Sequence, residues 1–151
     1  MGIQGFSHVG ICVTDLDRST AFYRDVLGFS EVFTAEMGPE VVATMEVDGH
    51  FSSRMMTRGD LRVELLHWHD QPVQGDGARR PMTATGMTHL CFRVDHVDDL
   101  REVAARSGGA VHDTTLSVLE GVGVDGADVG LLYLTDPDGV RIECMSGTPA
   151  L

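Results

Sequence analysis

The sequence predicts an α+β fold made of two βαβββ modules that form a curved sheet around a shared cleft. The main observation is an internal repeat, because Ser7-His8-Val9 recurs as Thr88-His89-Leu90 at an offset of 81 residues. A second echo, Arg62-Val63-Glu64, recurs as Arg141-Ile142-Glu143 at an offset of 79 residues. Strand-like and helix-like patterns also follow one another in the same order in both halves. The duplication therefore predicts two similar modules built around one core.

The length and composition are those of one globular domain that covers residues 1–151. With 151 residues, of which 42% are hydrophobic, the chain is long enough to bury a core. The net charge of −12 disfavours nucleic acid and anionic lipid as partners, and the scattered acids are typical of a solubilising surface. No stretch approaches the roughly 18 apolar residues of a membrane span. We therefore expect neither a nucleic-acid nor a membrane partner.

The N-terminus and the cysteines predict a cytoplasmic protein. Residues 1–6 lack the cationic and apolar regions of a signal peptide. The three cysteines, Cys12, Cys91 and Cys144, are an odd number without a CxxC spacing, which predicts reduced thiols. We expect each of them to be a small core residue rather than a nucleophile.

Module 1 is predicted to span residues 5–69 and to begin with a strand over residues 6–14, which are rich in β-branched side chains and alternate in polarity. Asp15-Leu16-Asp17 offers a helix N-cap, and apolar residues at helical spacing follow until Gly28 ends the helix. The remaining predicted strands are residues 29–37, 51–58 and 61–69, and residues 39–48 fit a short helix or a strand equally well.

Module 2 is predicted to span residues 87–147, after a polar linker rich in glycine and proline at residues 70–86. Its helix covers residues 98–107, with an N-cap near Asp98 and a stop at Gly108-Gly109. Its predicted strands are residues 87–94, 110–118, 128–135 and 140–146.

The sequence also predicts the form of two loops that connect strands in module 2. Asp136-Pro137-Asp138-Gly139 predicts a tight turn, so the last two strands should form a hairpin. Residues 119–127 are acidic and rich in glycine, which predicts a mobile loop.

The alternation of side chains along a strand predicts which residues lie on the same face as each repeated histidine and glutamate, because residues two apart on a strand share a face. His8 then shares a face with Gly10 and Cys12, and His89 shares one with Cys91. Glu64 and Glu143 take the same position on the last strand of each module. If these four faces are concave, two imidazoles and two carboxylates converge on one point, as a pseudo-twofold axis would arrange naturally. The four converging residues are His8, Glu64, His89 and Glu143.

Imidazole and carboxylate are borderline-to-hard ligands that suit a divalent cation. Two neutral imidazoles and two carboxylates would balance its charge and leave coordination positions for water or substrate. A structural zinc site of thiolates would need closely spaced cysteines, which the sequence lacks. The pattern therefore predicts one divalent metal ion in the cleft.

The sequence resembles the vicinal oxygen chelate superfamily, which includes glyoxalase I, methylmalonyl-CoA epimerase, extradiol dioxygenases and the fosfomycin- and bleomycin-resistance proteins. The resemblance covers essentially the whole chain. It is carried by the opening motif His8–Phe29, the strand Val63–Leu66, the segment Thr88–Asp95 and the closing motif Asp136–Glu143.

The resemblance implies that His8, Glu64, His89 and Glu143 lie where the family has its ligands, around one Ni, Co, Mn, Fe or Zn ion. Glu64 is similar to the glyoxalase I branch, since the epimerases commonly carry Gln there, whereas the long linker 70–86 is closer to the epimerase layout. The implied function is a metal-dependent lyase or isomerase that transfers a proton next to a carbonyl of a small metabolite or thioester. Glu143 is the implied base, and Glu64 is its symmetric alternative.

Two other functions remain open from the sequence. One is an extradiol-type Fe(II) dioxygenase, although that branch resembles a site of two His and one Glu. The other is a non-catalytic ligand-binding or antibiotic-resistance protein, although the bleomycin-binding branch has lost the metal. In each case the partner is a small molecule, and we expect a homodimer because dimers are common in the superfamily.

Other side chains share parity with the four predicted ligands and are candidates for substrate binding: Arg62, Trp68, Arg93, Arg141 and Met145. The remaining histidines are not predicted to be ligands. His67 points away from Glu64, and His67 and His69 are expected at the surface near a strand end. For His50, His96 and His112 the sequence shows no partner.

Overall fold

The structure is a computed structural model that describes residues 2–150. The chain forms two compact units, one extending to Gly75 and the other beginning at Asp76, so the boundary falls inside the predicted linker 70–86. Each unit contains a four-stranded mixed sheet and one longer helix. The α+β class and the βαβββ order are thereby confirmed. The assignment of residues 1–151 to a single domain, with modules at 5–69 and 87–147, stays a prediction.

The sheet of the first unit has the order β1-β4-β3-β2, in which β1 runs parallel to β4 and the other neighbours are antiparallel. Strand β1 is shorter than predicted, because residues 6–8 and 13–14 do not have strand geometry. The elements are β1 (Val9–Cys12), α1 (Leu16–Asp25), β2 (Ser30–Met37), α2 (Pro39–Val42), β3 (Phe51–Arg58) and β4 (Leu61–Trp68).

Helix α1 begins and ends where the sequence predicts. The Asp15 side chain accepts a hydrogen bond of 2.9 Å from the backbone N–H of Arg18, which satisfies one otherwise unpaired donor of the first turn. Gly28 has a φ of 70°, a left-handed conformation that ends helices and that side chains disfavour. The buried aromatic residues Phe22 and Tyr23 anchor the helix to the core.

The ambiguous segment 39–48 is helical over residues 39–45. Helix α2 follows Gly38 and continues into one 3₁₀ turn at Ala43–Met45. Its residue Val42 packs with Phe51 and Leu66. Leu65 and Leu66 are both buried although neighbours on a strand point to opposite faces, so the sheet is covered on both sides.

The sheet of the second unit repeats this topology with the order β5-β8-β7-β6, and β5 is parallel to β8. Helix α3 starts later than predicted, with Asp99 rather than Asp98 as the N-cap residue, and it has no side-chain cap hydrogen bond. The elements are β5 (Leu90–Val94), α3 (Leu100–Arg106), β6 (Ala110–Leu119), β7 (Val129–Thr135) and β8 (Arg141–Ser146).

The predicted hairpin joins β7 to β8. The Gly139 N–H donates to the Asp136 carbonyl at 3.2 Å, and the Asp136 N–H donates to the Val140 carbonyl at 3.0 Å. The preceding loop, residues 119–127, contains a 3₁₀ turn at Val124–Gly126. Its Gly123 also forms a β-bridge with Pro149, which attaches the loop to the end of the chain. The mobility of this loop stays a prediction.

The cysteine prediction is correct for one residue and wrong for two. Cys144 is buried in the core of the second unit, whereas Cys12 and Cys91 are exposed. Both exposed cysteines lie on the sheet face that carries a glutamate, since Cys12 pairs with Leu66 and Cys91 with Glu143. Among residues 2–150, none of the helices has the length and apolar character that crossing a bilayer requires.

Candidate metal centre

The first unit brings His8 and Glu64 together. His8 immediately precedes β1, and Glu64 lies in the middle of β4 with Gly10 as its partner across the parallel pair. The His8 Nε2 atom lies 3.2 Å from Glu64 Oε2. The Glu64 side chain is 16% exposed and that of His8 is 37% exposed, so the pair sits at the border between the core and solvent.

The second unit contains the same arrangement. His89 immediately precedes β5, and Glu143 lies on β8 opposite Cys91. The His89 Nε2 atom lies 3.0 Å from Glu143 Oε2, and the histidine edge meets the Tyr133 ring at 5.7 Å between centroids. In both pairs, therefore, a histidine Nε2 atom lies at nearly the same distance from a glutamate Oε2 atom.

A hydroxyl group lies within hydrogen-bond distance of Nδ1 in each of these two imidazoles. Ser7 Oγ lies 3.0 Å from His8 Nδ1, and Thr88 Oγ1 lies 2.9 Å from the corresponding atom of His89. If Nδ1–H donates to the hydroxyl oxygen, Nε2 keeps the lone pair that a metal needs. The hydroxyl residue before each histidine is visible in the sequence repeat, but sequence analysis gave it no role.

Each carboxylate accepts a further hydrogen bond from its own sheet. Ser53 Oγ donates to Glu64 Oε1 at 2.5 Å. Glu143 instead accepts hydrogen bonds from the side chains of Tyr133 and Cys91. Burial, reinforced by the Glu143 charge, raises the pKa of Cys91 to about 11 and also raises the pKa of Tyr133. Both side chains therefore stay protonated donors at neutral pH.

The geometry of each pair fits a divalent metal. With metal–ligand bonds of about 2.0 to 2.2 Å, two neighbouring ligand atoms lie about 3.0 to 3.5 Å apart. The Nε2–Oε2 separations of 3.2 and 3.0 Å fall in or at the edge of this range. Each unit thus supplies one imidazole and one carboxylate in a chelating arrangement. The shared four-ligand site of His8, Glu64, His89 and Glu143 stays a prediction.

The substrate-binding candidates in the first unit differ in their surroundings. Trp68 stacks at a tilt on Phe51, with 4.8 Å between ring centroids, and packs against the cluster of Val42 and Leu66. Arg62 is exposed on β4 opposite Thr57. Trp68 is therefore held in the core packing, while Arg62 extends toward solvent.

The substrate-binding candidates in the second unit are two arginines that donate hydrogen bonds and a methionine that pairs with one of them across the sheet. Arg93 donates to Thr148 Oγ1 at 2.5 Å and pairs across the sheet with Met145. Arg141 donates to the Arg80 carbonyl at 2.6 Å, and its guanidinium lies 5.6 Å from the Tyr133 ring centroid. Burial, followed by the nearby Arg79 charge, lowers the pKa of Arg141. A substrate role for Arg62, Trp68, Arg93, Arg141 and Met145 stays a prediction.

The structure also groups three residues that sequence analysis did not connect. Glu36, His50 and His69 have ligand-capable atoms that all lie within 4.8 Å of one another. His69 is exposed, as the sequence predicts. His50, for which the sequence shows no partner, lies beside it because β3 pairs with β4. His67 does not join them, because its Nδ1 lies 3.2 Å from the Val13 carbonyl oxygen.

Comparison with known proteins decides the family. The model of the Glyoxalase/Bleomycin resistance protein/Dioxygenase superfamily matches residues 5–144. The chain belongs to this superfamily. The crystal structure of a glyoxalase family protein from Bacillus cereus superposes with a TM-score of 0.82, at 20% identity, covering 98% of this chain and 97% of that one. The resemblance predicted from the motifs is therefore confirmed, together with the fold.

Two curated relatives in the superfamily are enzymes. The mitochondrial methylmalonyl-CoA epimerase of Mus musculus is 33% identical over 146 residues, which cover 91% of this chain and 70% of the epimerase. The lactoylglutathione lyase of Haemophilus influenzae is 30% identical over 137 residues, which cover 90% and 87%. The chain is thus similar to an isomerase and to a lyase of the superfamily at nearly the same level.

Proposed function

We propose that this protein is a metal-dependent isomerase or lyase that moves a proton at the carbon next to a carbonyl group. The observation that carries the proposal is the duplicated pair of one imidazole and one carboxylate at 3.2 and 3.0 Å. The pair recurs with the same atoms although its strand neighbours differ, since Gly10 lies opposite Glu64 and Cys91 lies opposite Glu143. Two enzyme relatives, one an epimerase and one a lyase, support the same class of reaction.

His8, Glu64, His89 and Glu143 would hold the ion, which is Ni, Co, Mn, Fe or Zn. When bound, the ion supplies Lewis acidity toward a carbonyl oxygen and so makes the neighbouring C–H bond more acidic. Two carboxylates balance its charge, and the two imidazoles are oriented by Ser7 and Thr88. One ion shared by the two pairs would be bound either within one chain or across the homodimer that the resemblance implies.

Glu143 is the proposed base. Its carboxylate takes the proton from the α-carbon, and the electron pair of that C–H bond moves toward the carbonyl oxygen. The same proton, or one from water, then returns to the α-carbon or to its oxygen-bearing neighbour. Tyr133 and Cys91 hold the Glu143 carboxylate in place through their hydrogen bonds. Glu64 is the symmetric alternative, and in an epimerisation it would serve the opposite face of the carbon.

We infer that the substrate is a thioester or forms one. The names of both relatives contain such a group, since methylmalonyl-CoA and lactoylglutathione are each thioesters with a substituted α-carbon. In a thioester substrate the carbonyl makes the α-proton more acidic than that of an ordinary ester. In a hemithioacetal that becomes a thioester, the neighbouring ketone carbonyl has the same effect, and either proton is within reach of a carboxylate base.

The test is deuterium exchange. The purified full chain, freed of metal and reloaded with each of the five ions in turn, is incubated in D₂O with methylmalonyl-CoA or with the hemithioacetal of methylglyoxal and glutathione. Proton NMR then follows the α-hydrogen. We expect metal-dependent exchange or isomerisation with one of the two substrates, and none with the metal-free protein. Failure of both substrates with every ion contradicts the thioester proposal.

The same preparations decide between the remaining functions. Oxygen consumption with a catechol and Fe(II), in place of proton exchange, would identify a dioxygenase. Tight binding of a small molecule without turnover and without metal would identify a binding or resistance protein. Either result replaces the proposed proton transfer.

A further inference from the structure

A second cluster of ligand-type side chains lies at one edge of the first sheet. Glu36 is near the end of β2, His50 immediately precedes β3, and His69 immediately follows β4. These strands are neighbours, and the backbone N–H of His69 donates to the His50 carbonyl at 3.2 Å. Three separate segments of the chain therefore meet at this edge, which we term the edge cluster: Glu36, His50 and His69.

Ser52 connects two members of the edge cluster. Its hydroxyl donates to Glu36 Oε1 at 2.6 Å and lies 2.7 Å from His69 Nε2. The same imidazole nitrogen is 3.4 Å from Glu36 Oε2. Ser52 is 6% exposed, so its hydroxyl has a fixed position beneath the cluster. The carboxylate and the imidazole are thus held side by side. Because the one Ser52 hydrogen goes to Glu36, the Nε2–H of His69 donates to the Ser52 oxygen.

The third member, His50, has its own support. Both its backbone N–H and its Nδ1 hydrogen-bond to Asp70 Oδ2, the backbone bond at 3.0 Å. With Nδ1 bonded to a carboxylate, Nε2 is the nitrogen left for a ligand, as in carboxylate–histidine–metal arrangements. The His50 and His69 rings stack with centroids 4.7 Å apart and 25° between their planes. Gly49 allows Asp70 to lie this close to His50, because a Cβ on residue 49 would be only 2.9 Å from Asp70 Cβ.

The edge cluster and the His8–Glu64 pair lie on opposite faces of the sheet. Ser52, beneath the cluster, and Ser53, which donates to Glu64, are consecutive on β3 and so point to opposite sides. Glu36 pairs with Ser52 across the sheet and shares its face. The cluster is therefore separate from the predicted catalytic ligands.

We propose that Glu36, His50 and His69 bind a divalent metal ion of their own, with Zn²⁺ as the best match. Two imidazoles and one carboxylate are a ligand set that zinc uses, with a fourth position left to water. Tetrahedral zinc needs its ligand atoms about 3.3 Å apart. The ligand-type atoms now lie at most 4.8 Å apart, and rotations of these exposed side chains would bring them to that distance, with zinc replacing the Nε2 proton of His69. The ion would tie the ends of β2, β3 and β4 together.

The test measures zinc binding by the full chain after the two histidines of the predicted catalytic site, His8 and His89, have been replaced. In the double variant His8→Ala, His89→Ala, isothermal titration with Zn²⁺ should still show one equivalent bound by the edge cluster. Adding His50→Ala and His69→Ala should abolish it, and adding His96→Ala, an exposed histidine outside the cluster, should not. No zinc binding in the double variant, or zinc binding that survives the loss of His50 and His69, overturns the proposal.

A single substitution serves as a second test that is less disruptive to folding. In the otherwise unchanged chain, Glu36→Ala removes the ligand oxygen, so it should lower bound zinc by one equivalent and reduce the rise in Tm that zinc produces, while Glu40→Ala on α2 serves as control. Circular dichroism establishes that the variants fold. Unchanged zinc content in Glu36→Ala would also overturn the site. Because none of these readouts uses turnover, they stand apart from the proposed enzymatic function.

Discussion

The two histidine–glutamate pairs are alike in their ligands and different in what surrounds them. Across the parallel strand, Gly10 lies opposite Glu64, whereas Cys91 lies opposite Glu143. The antiparallel neighbour of Glu64 is Met55, and that of Glu143 is Tyr133. The imidazole–carboxylate pair is thus present in both copies of the repeat, while the strand neighbours of the carboxylates differ.

This difference gives the two carboxylates unequal environments. Glu64 accepts from one small hydroxyl, that of Ser53. Glu143 accepts from a phenol and a thiol, and its charge helps to raise the pKa of both donors. A symmetric ligand set can therefore contain one carboxylate that mainly binds metal and another that is positioned for proton transfer.

The largest difference is expected between Glu143→Gln and Glu64→Gln. If Glu143 is the base, its amide variant should lose about 10³-fold or more in kcat, since an amide cannot accept the proton. Glu64→Gln should stay within about tenfold, because the amide oxygen can still bind a metal. The measurement is kcat for both variants at equal metal content. Equal losses, or a larger loss for Glu64→Gln, would transfer the role of base to Glu64.

The next experiment removes one imidazole at a time. His8→Ala and His89→Ala should each weaken metal binding by about 100-fold or more, and by similar factors, because the two pairs have the same geometry. Metal content after dialysis and a competition titration with a chelator measure the loss, and His96→Ala is the matched control. If one variant keeps its metal, that half of the proposed four-ligand set is not a ligand.

A smaller effect should come from the groups that hold the carboxylates. Tyr133→Phe removes the phenol hydroxyl from Glu143 and should lower kcat about tenfold, as loss of a supporting hydrogen bond commonly does. Ser53→Ala removes the equivalent support from Glu64 and should mainly weaken metal binding. Comparing kcat with metal affinity separates the two effects. A reduced kcat in Ser53→Ala with normal metal affinity would argue against the unequal roles.

The sequence repeat was sufficient to predict the order of elements and the four residues that form the two pairs. Parity predicts which residues of one strand share a face, and the offsets of 81 residues for the histidines and 79 for the glutamates give both modules the same residue types. The edge cluster was missed for a physical reason. Glu36, His50 and His69 are neighbours only through the register of β2, β3 and β4, which no local pattern specifies. The prediction for Cys12 and Cys91 was wrong because both lie on the sheet face of Glu64 or Glu143, at positions that the packing leaves exposed.

The two longer helices were not predicted equally well, although the same N-cap argument predicts the start of both. The Asp15 side chain accepts from the backbone N–H of Arg18, whereas in the second unit the helix begins after Asp99 without such a bond. A suitable residue type is therefore not sufficient for a cap, because the local backbone decides whether the bond forms.

The smallest expected difference tests this contrast between the two helices. Asp15→Ala should lower the free energy of unfolding by about 1 kcal/mol, because one donor of the first turn of α1 loses its partner. Asp99→Ala should change it by only a few tenths of that, because no cap bond is lost. Urea unfolding of the two variants, followed by circular dichroism, measures both values. Equal losses would mean that Asp99 stabilises α3 through its charge near the helix N-terminus. That contribution would be screened by salt, so repeating the measurement in 1 M NaCl should then remove the loss for Asp99→Ala and keep that for Asp15→Ala.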